Sequence, residues 1–232
     1  MATTAAIHDQ AATRQRLLDA AGEVFAAHGF RAATVRDICS VAGANVAAVN
    51  YHFGDKQRLY QAVFLYAHEC AMAKNAPPPP DRRGTPEELL REFVAAFLRR
   101  VLDQGRPAWH GKLMSREMVE PTGVLDQLVE KAIRPQFALL SAIVRGLVGE
   151  LPHERLRRCC ASVVSQCLFY HHARPVIARL FPELVFDDAE IEALADHVTT
   201  FSLAGLRAAA RRPAAGKAAD KPARRGAKTG RR

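Results

Sequence analysis

Asn50, Tyr51, His52 and Lys56 fall within one short stretch and carry an amide, a phenol, an imidazole and an ammonium group. This is a donor set without a nucleophile and its activating base. An amide on a helix can pair with a base edge in the major groove, and the methyl groups of nearby Val46, Ala47 and Ala48 suit thymine. Tyr51, His52 and Lys56, just past those reading positions, suit phosphate oxygens, which fix docking without reading sequence. The elements that must hold these groups lie between Thr34 and Lys56, TVRDICSVAGANVAAVNYHFGDK. Thr34 can cap a helix by accepting from the backbone N–H groups of the next turn, and Asp37 is favourably placed in that turn. Val35, Ile38 and Ala42 then form one apolar face, and Gly43 follows where a left-handed residue is needed. Val46 to Phe53 makes a second short helix, with Val49 and Phe53 pointing one way and Ala47, Ala48, Asn50 and Tyr51 spread around the rest. Asp55 caps the helix that comes next. Two short helices hinged at a glycine are a helix-turn-helix signature, and an ordinary helical hairpin is the competing reading.

The run from Arg14 to Phe64, with RLLDAAGEVFAAHGFRAATVRDICSVAG and NYHFGDKQRLYQAV, resembles the N-terminal domain of the TetR family of bacterial transcriptional regulators. The pattern Phe25, His28, Gly29, Phe30 before Thr34 matches the end of that family's first helix. The resemblance implies that Arg36, Val46, Ala47, Ala48 and Asn50 read bases, and that Thr34, Tyr51, His52 and Lys56 hold phosphates. Because Val46 and the alanines offer little hydrogen bonding, such reading leans on Arg36, Asn50 and DNA shape. Lys112 to Pro135, KLMSREMVEPTGVLDQLVEKAIRP, and Cys167 to Pro182, CLFYHHARPVIARLFP, resemble the C-terminal domain of the CecR-like subgroup. Membership would imply a homodimeric repressor on a pseudo-palindromic operator, with transport or efflux genes among its targets.

The chain has 232 residues, of which 49% are hydrophobic, enough for one or two packed domains. No stretch approaches the roughly 20 apolar residues of a membrane span, and the N-terminus lacks an apolar signal core, so a cytoplasmic protein with no membrane partner is expected. The formal charge is +9, but Arg211 to Arg232 carries nine basic residues against one acid, leaving 24 basic and 23 acidic groups in the first 210. That tail has no aromatic or large aliphatic side chain and is expected to be disordered. It is either a solvated extension or a nonspecific phosphate-binding arm. An architectural DNA-binding protein dominated by this tail is therefore the alternative to a specific regulator.

Ala76 to Gly84, APPPPDRRG, breaks any helix. Thr85, Pro86 and Glu88 then form a strong helix start, with a cap, a first-position proline and a capping box, followed by an apolar face of Leu89, Leu90, Phe93, Val94, Phe97, Leu98 and Val101. Further helices are expected at about Ala108 to Val119, Gly123 to Val148, Pro152 to Leu180 and Asp188 to Ala210, with Pro135 and Pro175 kinking or splitting theirs. With no sustained alternation, the fold class is all-α. Residues 1–60 form the helix-turn-helix DNA-binding domain, its first helix at about 13–29. Residues 61–84 form a connecting helix and Pro-rich linker, 85–210 a helical effector-binding and dimerisation domain, and 211–232 the tail. Leu156, Val163, Val164 and Leu168, with Ile191, Leu194, Val198, Phe201 and Leu206, are the candidates for a dimer interface.

An effector pocket in the body can draw on Phe93, Phe97, Trp109, Met114, Phe137, Phe169 and Tyr170, with His110, Arg116, Glu117, His171 and Arg174 as polar anchors. Their composition suits a small, largely apolar ligand. Arg116 also invites pairing with Glu117 or Glu120 as a surface ion pair. Cys159, Cys160 and Cys167 share a helix with His171, which raises thiol or metal sensing, yet without a CxxC pair buried free thiols are the simpler expectation. No metal or cofactor is implied. A Gly-rich phosphate loop, HExxH and GxSxG are all missing from the sequence, so no enzymatic activity is expected.

Overall fold

Apolar residues spaced for helices dominate this chain, and the computed structural model folds accordingly. It describes residues 2–79, 81–102 and 109–211. The basic tail beyond Arg211 and the start expected at Ala108 lie outside those residues. Eleven α-helices and one π-helical turn are present among the described residues, and no strand.

The first four helices are α1 (Ala2–Ala32), α2 (Val35–Ala42), α3 (Val46–Phe53) and α4 (Lys56–Lys74). Helix α1 starts earlier than the expected residue 13, because Ala-rich sequence ahead of it costs little to hold helical. Its other end turns at Gly29, whose φ of 78° and ψ of 167° leave the helical region and explain the glycine after His28. The body follows as α5 (Pro86–Leu102), α6 (His110–Val119), α7 (Val124–Leu128), α8 (Arg134–Val148), α9 (His153–His172), α10 (Arg174–Leu180) and α11 (Asp188–Arg211).

Local chemistry explains several of these boundaries. Thr85 Oγ1 accepts from the Glu88 N–H at 3.2 Å while the Glu88 carboxylate accepts from the Thr85 N–H at 2.8 Å, the capping box expected before Pro86. Pro135 sits at the start of α8, and the chain enters it through a π-helical turn, Val129–Ile133, which absorbs the extra length around a residue lacking an N–H. Pro175 likewise splits α9 from α10 at Ala173.

Two apolar clusters form the interior. The first gathers Leu17, Leu18, Phe25, Ile38, Val49, Leu59, Val63 and Phe64, and it extends to Trp109, Leu113, Val124, Leu128 and Ala132. The N-terminal helices therefore share their core with α6 and α7. The second gathers α5, α8, α9 and α11 through Leu90, Phe93, Leu140, Val144, Cys160, Val163, Ile191 and Val198.

Some of the candidate interface residues are expected to serve the chain's own core as well, and this second cluster divides them. Leu156, Val163, Ile191, Leu194, Val198 and Leu206 are all buried within the single chain and are unavailable to a partner, while Val164 packs part-buried beside them. Phe201, at 65% exposed, faces out. Periodicity marks an apolar face without saying whose apolar face it meets.

Candidate nucleic-acid interface

Helix α3, the expected reading helix, is held by three short-range devices. Thr34 Oγ1 accepts from the Asp37 N–H at 3.1 Å, and an Asp37 carboxylate oxygen accepts from both the Thr34 N–H at 3.1 Å and the Thr34 hydroxyl at 2.7 Å. These bonds hold the Asp37 carboxyl below its usual range. Gly43 then takes φ 60° and ψ 40°, left-handed, and its N–H closes α2 onto Cys39 O. Asn45 caps α3, its side-chain oxygen accepting from the Ala48 N–H at 2.9 Å. The sequence reading passed over Asn45, although an Asn directly before the apolar-periodic run is the signal that marks such a cap.

Helix α3 is eight residues long. Val49 and Phe53 plug into the first core, while Val46, Ala47, Asn50 and Tyr51 are exposed, Tyr51 at 70%. Arg36 is exposed on α2. Ala48, expected among the base readers, is half-buried and packed against the core instead. Its spacing from Val49 turns it towards the flank of the helix.

The expected phosphate set divides in a similar way. Tyr51 is free and stands edge-on to His52, with ring centroids 4.9 Å apart. The Thr34 hydroxyl is committed to its capping box. Lys56 lies with its ammonium 4.7 Å from the Phe30 ring centroid and 3.4 Å from Arg31 O, which ties the start of α4 to the end of α1.

Behind the reading helix, α6 is fastened to two N-terminal helices. Arg116 does not pair with its neighbour as a surface ion pair. Its Nε donates to Ala26 O at 2.9 Å and its Nη2 to Ala27 O at 2.7 Å, satisfying carbonyls at the end of α1 before Gly29. Glu117 is 0% exposed, which removes it from any ligand pocket. It accepts from the Tyr60 hydroxyl at 3.0 Å, the Thr122 N–H at 2.7 Å and the Thr122 hydroxyl at 2.9 Å. Burial and this carboxylate push the Tyr60 phenol pKa upward.

The remaining pocket residues do not line one cavity. Trp109 belongs to the first core and lies against Gly22, and Met114 packs beside that core. Phe93 is buried in the second core and stacks on Phe97 at 6.1 Å. Phe137 and Phe169 are exposed at 39% and 57%. Two surface concavities, one lined by Pro77, Pro78, Arg91 and Arg99, the other by Phe181, Leu184 and Val185, include none of the set. His110, His171 and Arg174, by contrast, lie around the junction of α5, α6 and α9, together with His68 of α4, while Tyr170 stands edge-on to Phe186.

Burial raises the Cys159 and Cys160 thiols and pushes Cys167 up to about 12, so they sit as neutral thiols at neutral pH. Among the described residues no three His, Cys, Asp or Glu side chains are arranged to hold a metal ion.

The matching family models cover residues 86–206, described as HTH-type transcriptional dual regulator CecR, C-terminal domain, and 17–63, described as bacterial regulatory proteins, tetR family. The chain belongs to the TetR family. Its C-terminal part is of the CecR type, and it is a DNA-binding transcriptional regulator. It is 27% identical over 198 residues to the transcriptional dual regulator CecR of Shigella flexneri, covering 80% of this chain and 87% of that one. It is 26% identical over 212 residues to the transcriptional repressor NicS of Pseudomonas putida, covering 84% and 91%. The fold is also that of PfmR, a TetR-family regulator from Thermus thermophilus, at TM-score 0.57 and 22% identity over 82% of this chain and 95% of that one. A transcriptional regulator from Rhodococcus matches at TM-score 0.58 and 20% identity, over 83% and 96%. The family and these relatives are transcriptional regulators. No helix among the described residues is long and apolar enough to cross a membrane.

In this TetR-family chain the histidines behind the reading head create an acid sensitivity. Burial pushes His110 down from 6.5 to about 4, helped by charge repulsion from His68 and His171, and burial also lowers those two. The folded state favours neutral rings, so the unfolded chain takes up protons first. This stabilisation is complete above pH 6.5 and is lost as the pH falls from there towards 4. The melting temperature is expected to drop over that interval, and His110→Asn should flatten the slope in melts at stepped pH.

Proposed function

We propose that the chain acts as a homodimeric repressor that binds a pseudo-palindromic operator through α3 and is released by a small molecule bound in the body. The observation that carries this reading is the division of labour on α3. Val49 and Phe53 meet the core's needs, which leaves Val46, Ala47, Asn50 and Tyr51 exposed with no packing duty. Spanning about 12 Å, such a helix makes too few contacts alone, and two-fold pairing supplies a second copy one helical turn away.

A stripe on α9 and α11 supports the pairing. Ser162, Ser165 and Phe169 on α9, with His197, Phe201, Ala204 and Gly205 on α11, are exposed at helical spacing and combine small residues with two phenylalanines. Small side chains let helices approach closely, and the aromatics supply buried area. Ligand control is supported by the way α6 grips α1 and α4 through Arg116 and Glu117. A body conformation that moves α6 must move the reading head, and a ligand preferring that conformation lowers DNA affinity. Repression is the activity named for NicS, and transport or efflux genes are the proposed targets.

In vitro selection of genomic DNA fragments by the purified chain tests this. A short inverted repeat should be enriched, with or without residues 212–232. Enrichment without a shared motif, or loss of the motif with the tail, would instead assign DNA binding to the tail.

A further inference from the structure

Five basic or protonatable side chains meet where the two cores join. His68 comes from α4, Arg100 from α5, His110 from α6, His171 from the end of α9 and Arg174 from the start of α10. Each hydrogen bond described for them goes to a neutral group. Arg100 donates from Nη1 to Asn75 O at 2.7 Å and from Nη2 to Gln136 Oε1 at 3.2 Å. Arg174 donates to Leu102 O at 3.3 Å. His171 Nδ1 donates to Val101 O at 2.8 Å, which leaves Nε2 facing the Ser115 hydroxyl at 3.4 Å. Among the described residues no carboxylate pairs with either guanidinium, and the acid acting on the group is Glu69, beside His68 on α4.

Uncompensated charge at this depth is costly. Helix-end carbonyls hold the guanidiniums in place but supply only partial charge. Desolvation lowers even Arg100, to about 10, and burial holds His68, beside it, towards the neutral ring. Surface arginines of the same chain do better: Arg91 bonds both Glu192 and Asp196, and Arg99 also reaches Glu192. A half-buried guanidinium that no carboxylate among the described residues pairs with is complementary to an anion entering from solution. Its immediate surroundings are apolar. The Phe97 ring lies 5.5 Å under the Arg100 guanidinium, and Met72 Sδ lies 3.6 Å from the amide of Gln136.

We propose that Arg100, with His68 beside it, anchors the carboxylate of a small aryl or alkyl acid whose apolar body lies against Phe97 and Met72. This rests on the reading of the body as an effector domain and names the chemical class of that effector. The ligand's negative charge stabilises Arg100 and favours a proton on His68. Because Arg100 on α5 bonds Asn75 O at the end of α4, and His68 lies on α4, drawing both onto one anion shifts α4, which packs in the first core with α2 and α3.

Isothermal titration of the full chain, without DNA, with benzoate and octanoate and with the neutral amides benzamide and octanamide tests the assignment. The acids should bind at least about tenfold more tightly than the amides, the margin of one charge-assisted hydrogen bond. Heats in two buffers of different ionisation enthalpy at pH 6.5 should show proton uptake. Arg100→Gln should lose about tenfold or more for the acids and nothing for the amides, while Arg99→Gln should leave both unchanged. Because Arg100→Gln removes a desolvated charge, its melting temperature should stay at or above that of the parent, and the comparison of acid with amide stands without any variant. Equal binding of acids and amides, acid binding indifferent to Arg100→Gln, or no binding by any probe at millimolar concentration would overturn the proposal. Acid binding that persists in a chain that selects no operator would leave this assignment standing and remove the regulator reading alone.

Discussion

Alanine at both Asn50 and Tyr51 is expected to weaken binding to a selected operator by about 100-fold or more, with the melting temperature unchanged to within about 2 °C. A well-placed amide on a base edge contributes about 1–3 kcal/mol of discrimination, and a dimer loses it at two half-sites. In the proposed docking, Tyr51 supplies a phosphate contact that positions the helix without reading sequence. Both side chains point away from the core, and Tyr51 is 70% exposed. Surface substitutions of this kind alter stability by about 0.5 kcal/mol or less. Fluorescence anisotropy with a labelled operator, run beside thermal melts, separates the two effects. An unchanged operator affinity would mean that α3 does not read the DNA. Binding that weakens equally on every sequence would make the pair phosphate contacts alone.

Gly22→Ala should destabilise the chain by about 2–3 kcal/mol through overpacking and lower its melting temperature by about 5–10 °C. The methyl group at that position would land inside the Trp109 indole. Trp109 is itself buried in the first core, so the ring has no free space to retreat into. Trp109→Ala should cost about 3–5 kcal/mol by leaving a cavity. The double variant should be more stable than the sum of the two, because the added methyl then meets the vacated space rather than the ring. Urea unfolding followed by circular dichroism measures all four proteins. Additive costs, or a Gly22→Ala variant that melts with the parent, would show that Trp109 is not seated on Gly22. Since Trp109 opens α6, this contact also sets where α6 meets α1, upstream of the grip by Arg116.

The helix-turn-helix was legible because the interactions that make it are local. The cap at Thr34, the left-handed Gly43 and the apolar spacing of Ile38, Ala42, Val49 and Phe53 all act across four residues or fewer, so they are written in adjacent letters. The capping box at Thr85 and Glu88 and the helix breaks at Pro135 and Pro175 were readable for the same reason. Ala48 was harder, because on a two-turn helix one step of about 100° separates an exposed methyl from a packed one.

The effector region behaved differently. Its aromatics were visible as a composition, but Trp109 and Met114 went to the first core, Phe93 to the second, and Phe137 and Phe169 to the surface. Arg116 and Glu117, adjacent in sequence, serve different partners: Arg116 meets carbonyls 89 and 90 residues away, and Glu117 a phenol 57 residues away. Side chains next to each other on a helix point about 100° apart, so adjacency says little about shared contacts.

By itself the sequence determined the all-helical class, the reading head with its caps and hinge, the family, and the concentration of charge in the last 22 residues. Tertiary structure alone decided which apolar stripes of α9 and α11 the chain keeps for its own core and which it leaves bare. It also decided that Glu117 is buried against Tyr60, and that His68, Arg100, His110, His171 and Arg174 share one junction. The physical reason is range. Caps and turns are satisfied within a few residues, whereas burial is settled only when distant helices compete for the same face, and no single segment carries the outcome of that competition.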